Sequence, residues 1–122
     1  MSKVLLVEDD QDILDILVDI VKRLKLDVLT ANDGEAALAL FKSAKPDLVM
    51  ADIRMPKLNG IDLSAAIKRL DSSVPVVLFS GQYPNLVEDK VENQIECDHV
   101  LYKPFIQVDI IESVRMFLGA HI

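Results

Sequence analysis

The sequence predicts an α/β domain of five strand–helix repeats, (βα)5, with an open parallel sheet covered by helices on both faces. Three observations predict it. Five short apolar runs, rich in Val and Leu, show almost no polar alternation, as expected of parallel strands buried on both sides. Longer stretches between them place apolar residues three and four apart, the spacing of amphipathic helices. The length of 122 residues, at roughly 100–200 per domain, corresponds to a single domain with its own core.

The elements follow in order. Val4–Val7 is the first strand. Ile13, Ile16, Leu17, Ile20 and Leu24 form the stripe of the first helix, with Asp10 placed to cap it. Val28–Ala31 is the second strand, and Ala37, Leu40, Phe41 and Ala44 mark the second helix, broken by Lys45-Pro46-Asp47. Leu48–Ala51 is the third strand, and Asn59-Gly60 beyond it predicts a left-handed turn. Leu63, Ala66, Ile67 and Leu70 mark the third helix, and Val76–Phe79 the fourth strand. Between Ser80 and Asp98 the stripe thins to Val87, Val91 and Ile95, which predicts a short, mostly exposed helix. Val100–Tyr102 is the last strand, and Ile110, Val114, Phe117 and Leu118 mark the last helix, closed by Gly119. No glycine fingerprint follows the first strand, which excludes a dinucleotide-binding Rossmann domain.

Composition narrows the function. Acids outnumber bases 20 to 13, a formal charge of -7. That balance argues against direct contact with nucleic acid or anionic membranes, both of which attract basic surfaces. No apolar stretch reaches the ~20 residues of a membrane span. Val4–Val7 is too short for a secretion signal and runs into three acids. Cys97 has no second cysteine to pair with, and no Cys/His set has zinc spacing. Cytoplasm is the expected compartment. Cys97, His99 and His121 receive no functional role.

In open α/β sheets, ligands sit beyond the carboxyl ends of the strands. After the first strand come Glu8, Asp9 and Asp10; after the third, Asp52; after the fourth, Ser80-Gly81; after the fifth, Lys103-Pro104. Taken singly, each has an ordinary explanation as a cap, a turn or a surface residue. Together they bring a carboxylate cluster, a hydroxyl and an ammonium to one edge of the sheet. Crowded carboxylates repel unless a cation neutralises them, and hard oxygen ligands suit Mg2+, with Mn2+ as a substitute. A carboxylate beside a divalent ion and a lysine can act as a nucleophile toward phosphorus.

These residues, in this order, resemble the receiver domain of two-component response regulators. The resemblance covers essentially the whole chain, 1–122. It rests on Val4-Leu5-Leu6-Val7-Glu8-Asp9-Asp10, on Asp52-Ile53-Arg54-Met55-Pro56 with Gly60, on Ser80-Gly81 and on Lys103-Pro104-Phe105. It implies a flavodoxin-like fold with strand order 2-1-3-4-5. It implies that Asp52 accepts a phosphoryl group from the phosphohistidine of a sensor histidine kinase or histidine phosphotransfer protein. Asp9, Asp52 and the Arg54 backbone carbonyl would bind Mg2+ directly, and Glu8 mainly through water. Ser80 and Lys103 would contact the phosphoryl group, with Gly81 leaving it accessible, and Lys103-Pro104 would be cis. Arg54 and Gln82 would flank the path of the hydrolytic water and tune the lifetime of the phosphoryl group. Such a domain catalyses its own phosphorylation and slow hydrolysis rather than turning over a substrate.

The sequence departs from the family pattern at Val100, where the family carries a switch aromatic. Tyr102, two residues on, points to the same face. It either packs at the strand end or substitutes in the switch with Ser80. The first helix is apolar over an arc of about 200°, wider than a core-facing stripe needs. Ile13 and Ile16 mark the edge left for a partner, and the resemblance places kinase docking there and at Pro104 and Phe105. The last two helices offer a homodimer face. The output partner carries no signature. The alternative function is a phosphorylation-independent interaction module. A haloacid-dehalogenase-type phosphohydrolase needs a second acid where Arg54 stands, and is set aside.

Overall fold

Five parallel strands form one sheet in the order β2-β1-β3-β4-β5. In this computed structural model, residues 2–81, 96–103 and 107–119 are described. The strands are β1 (Lys3–Val7), β2 (Asp27–Ala31), β3 (Leu48–Asp52), β4 (Val76–Ser80) and β5 (His99–Tyr102). Four helices lie among the described residues: α1 (Gln11–Arg23), α2 (Gly34–Ala44), α3 (Gly60–Leu70) and α4 (Gln107–Leu118). The helix expected between Ser80 and Asp98 falls outside them, as do Gln82, Pro104, Phe105 and His121.

Each strand is read by both faces of the sheet. Val4, Leu6, Met50 and Phe79 pack against Leu14, Leu17 and Val21 of α1 and Ile110 and Val114 of α4. The alternate residues Leu5, Val7, Val49 and Leu78 pack against Phe41 of α2 and Leu63 and Ile67 of α3. Strand side chains alternate across the sheet, so two cores need an unbroken apolar run, as the sequence has. Right-handed crossovers explain the layers. The step from β1 to β2 runs opposite to the steps that follow, so α1 covers one face and α2 and α3 the other. The reversal puts β1 beside β3 and makes their carboxyl ends the switch point of the sheet.

Local chemistry sets the helix ends. The Asp10 carboxylate accepts from Asp12 N at 3.0 Å and Ile13 N at 3.3 Å, so it caps α1 as expected. The second helix stops where Lys45 turns left-handed, at φ 49°, just before Pro46. Gly119, at φ 100°, closes α4 with its N–H on Arg115 O at 2.9 Å. The expected left-handed turn at Asn59-Gly60 is not formed. Asn59 is extended, at φ -73° and ψ 167°, and caps α3 by accepting from Asp62 N at 2.9 Å. Gly60 is required there for a different reason: a Cβ would stand 2.8 Å from Ile53 Cα and 2.9 Å from Asp52 C. Backbone proximity, not positive φ, selects this glycine.

On α1, Ile16 is 60% exposed. Ile13 is only half-buried and packs on the edge of the core. The exposed edge foreseen for both residues therefore centres on Ile16. No helix among the described residues is long and apolar enough to cross a membrane.

Candidate functional site

The carboxyl ends of β1, β3, β4 and β5 converge. β1 runs straight into Glu8 and Asp9, and β3 ends on Asp52. β4 ends on Ser80, which lies in register with Tyr102 of β5. Lys103 follows, its N–H donating to Ser80 O at 2.7 Å. The backbone ladder thus fixes all four sequence positions before any side chain interacts.

The side chains close on one another. Lys103 Nζ lies 2.9 Å from Asp52 Oδ2 and 3.4 Å from Glu8 Oε1. Asp52 Oδ1 accepts from Arg54 N at 3.2 Å, and Glu8 Oε2 accepts from Asp9 N at 3.0 Å. One carboxylate oxygen from each of Glu8, Asp9 and Asp52 falls within 4.8 Å of the others, so the three acids could hold a metal ion together. Their exposures differ: Glu8 is 1% exposed and Asp52 7%, whereas Asp9 faces solvent.

Burial and charge set the electrostatics. Burial pushes the Glu8 carboxyl up to about 8, and hydrogen bonding and repulsion from Asp52 add to the rise; Lys103 opposes it. Burial alone would lower Lys103, but its pairing with Asp52 and Glu8 wins and holds the ammonium above its usual value. With all three acids ionised, one lysine leaves two negative charges, which a divalent cation would balance. Hard carboxylate oxygens are also the donor set such an ion prefers.

Ser80 is fully buried, and its Oγ has no hydrogen-bond partner among the described residues. A buried hydroxyl left unpaired costs about 1–3 kcal/mol, so it is unusual in a finished core. Beside it, a Cβ on Gly81 would meet no atom of the described residues within 4 Å. A shallow cavity of about 500 Å³ adjoins the cluster, lined by Asp9, Ile53, Arg54, Met55, Asn59 and Ile61. A cavity of about 570 Å³ opens elsewhere, among Phe41, Lys42, Asp47, Leu70 and Asp71, and contains none of the convergent groups.

The structure therefore brings together Glu8, Asp9, Asp52 and Lys103, with Ser80 and Gly81 on the adjoining strand end. Arg54 is exposed at the rim and its backbone N–H orients Asp52. Val100 is buried in register with Leu78, and Tyr102 is half-buried against the same core. Two contacts had no reading in the sequence: the close approach of Gly34 to Leu58 and the ion pair of Asp33 with Lys57. Asp33-Gly34 before a helix reads as an ordinary cap, and nothing local reveals that a distant loop rests on it.

The fold and the acidic cluster define a class. The chain belongs to the response regulator receiver domains, whose family model matches residues 4–115, and so to the proteins of two-component signalling. It is 33% identical over 117 residues to the transcriptional regulatory protein PrrA of Mycobacterium tuberculosis, covering 95% of this chain and 49% of that protein. It is also 33% identical over 119 residues to the transcriptional regulatory protein CpxR of Escherichia coli, covering 97% and 50%. The chain thus spans about half the length of these relatives. Among solved structures, it resembles the receiver domain of NtrX from Brucella abortus with a TM-score of 0.85 at 30% identity, covering 94% of this chain and 97% of that one.

Proposed function

We propose that this domain is a phosphorylation-dependent switch that accepts a phosphoryl group on Asp52 from the phosphohistidine of a sensor kinase or histidine phosphotransfer protein, in the cytoplasm. The observation that carries the reading is the buried Ser80 Oγ, without a partner among the described residues, at the same strand edge as the Asp52–Lys103 pair. A phosphoryl oxygen over that edge would give the hydroxyl its missing partner.

The chemistry follows from the side chains. An Asp52 oxygen attacks phosphorus, the P–N bond to the donor imidazole breaks, and the imidazole leaves with the bonding pair. An acyl phosphate remains on Asp52. Lys103, 2.9 Å from Asp52, balances the charge on the transferring oxygens, while Arg54 N–H holds the other carboxylate oxygen. Mg2+, or Mn2+ in its place, would be held by Glu8, Asp9, Asp52 and the Arg54 carbonyl, and when bound supplies further neutralisation of those oxygens. Hydrolysis reverses the modification: water attacks phosphorus, inorganic phosphate leaves and the carboxylate is restored. Arg54 at the rim and Gln82 beyond Gly81 are placed by sequence to govern that water. Ile16, with Ile13, Pro104 and Phe105, is the proposed docking surface for the kinase.

Treatment with acetyl phosphate and Mg2+, followed by intact-mass spectrometry, tests this. The expected result is one added phosphoryl group, absent in Asp52→Asn. No gain in the wild type would instead favour an interaction module that works unmodified.

A further inference from the structure

We propose that Asp33 and Gly34, at the start of α2, clamp the loop after β3 and thereby position the Asp52 carboxylate for metal binding. The proposal rests on the reading of Glu8, Asp9 and Asp52 as a metal site, and assigns the new residues a positioning role.

The clamp has two parts. Gly34 is buried, and a Cβ on it would stand 2.7 Å from both the carbonyl carbon and the Cβ of Leu58. Its nearest neighbour would be the Leu58 carbonyl oxygen, backbone that cannot swing aside as a side chain could. Only glycine allows α2 and the loop to touch here. Asp33 supplies the second part by dividing its carboxylate. Oδ1 caps α2, accepting from Ala36 N at 2.7 Å, while Oδ2 lies 3.6 Å from Lys57 Nζ. Lys57 itself is left-handed, at φ 69°, a conformation uncommon for a residue that carries a Cβ.

The other end of the loop is tied to the site. Arg54 N donates to Asp52 Oδ1 at 3.2 Å, leaving Oδ2 to Lys103 at 2.9 Å. Gly60 N donates to Ile53 O at 2.8 Å and closes the loop on itself. A loop fastened at Leu58 and at Asp52 transmits a displacement from one to the other. α2 does not need the clamp for its own packing, because Ala37 and Phe41 already bury it in the core. What the clamp adds is the placing of the loop whose Arg54 N–H holds Asp52 Oδ1, an oxygen of a carboxylate that would share a cation with Glu8 and Asp9. Groups that orient metal ligands commonly change metal affinity by ~10-fold or more when altered.

Gly34→Ala tests the clamp, with Mn2+ as the probe. Free Mn2+ is followed by electron paramagnetic resonance at low temperature, where the variant is folded. The 15N–1H resonance of Arg54 is recorded in the metal-free protein. The expected result is Mn2+ binding weakened about tenfold together with a displaced Arg54 resonance. A purely structural glycine would lower Tm and leave both readouts at wild-type values, and that result would overturn the proposal. Should Gly34→Ala not fold, Asp33→Asn serves, because asparagine keeps the cap on α2 and removes the partner of Lys57. It is expected to weaken Mn2+ about twofold, an effect lost at high salt, as for any exposed ion pair. An unchanged affinity in that variant would then overturn the proposal. If the wild type binds no Mn2+, the metal reading itself falls, and the Arg54 resonance still decides whether the clamp positions the loop.

Discussion

Replacing Glu8 with glutamine is expected to stabilise the metal-free protein at pH 8 and to leave it nearly unchanged near pH 4.5. Glu8 is 1% exposed and its carboxyl is pushed up to about 8, whereas its ordinary value is 4.5. The folded state therefore holds a proton that the unfolded state has already lost, so wild-type stability from this group falls as pH rises between those values. At ~1.4 kcal/mol for each pH unit of that interval, the loss is on the order of 5 kcal/mol once both limits are passed. Glutamine cannot ionise and mimics the protonated acid in shape, with an amide N–H to offer Asp52. The difference between variant and wild type should thus grow from near zero at pH 4.5 to a few kcal/mol at pH 8 and then level off. Urea titrations in EDTA across this range measure it. On the proposed metal reading, saturating Mg2+ should reverse the order of stability at pH 8, because it would bind the ionised wild-type cluster and glutamine removes one of its charges. A difference independent of pH would refute the reasoning, since it would mean that Glu8 is not held protonated by its burial among the site's acids.

Two further outcomes are expected. Ser80→Ala removes a hydroxyl with no partner among the described residues, so stability toward urea should hold or rise by about 1 kcal/mol, while the rate of phosphorylation by acetyl phosphate drops about tenfold; a marked loss of stability would show that the hydroxyl is already satisfied. Tyr102→Ala should abolish the phosphorylation-induced amide shifts in α4, because Tyr102 stands in register with Ser80 and buried Val100 offers no rotamer swing; a variant that keeps those shifts would assign Tyr102 to packing alone.

Much of this molecule was legible along the chain. Parallel strands buried on both faces need apolar runs, and amphipathic helices need their stripe, so the element order could be read one segment at a time. Strand ends could be read in the same way, which is why the sequence already places Glu8, Asp9, Asp52, Ser80 and Lys103 at one edge of the sheet. Asp10 and Gly119 were equally readable, because caps act within a turn of their own residue.

Asn59-Gly60 marks where that reading ends. A dipeptide common in left-handed turns became a cap followed by a glycine chosen for its closeness to Asp52. Ile13 and Ile16 looked alike on a helical wheel, and only the packing of α4 and the sheet separated them. The elevated Glu8 carboxyl needed both its burial and a second acid from another strand.

By itself, the sequence determined the order of strands and helices and which polar residues stand at strand ends, because periodicity and capping depend on neighbours within a few residues. Tertiary structure alone decided that Lys103 lies 2.9 Å from Asp52, that the Ser80 hydroxyl is buried without a partner among the described residues and that Gly34 bears the loop at Leu58. Those contacts join segments far apart in the chain, and only the closing of the sheet between helices fixes the distances across them.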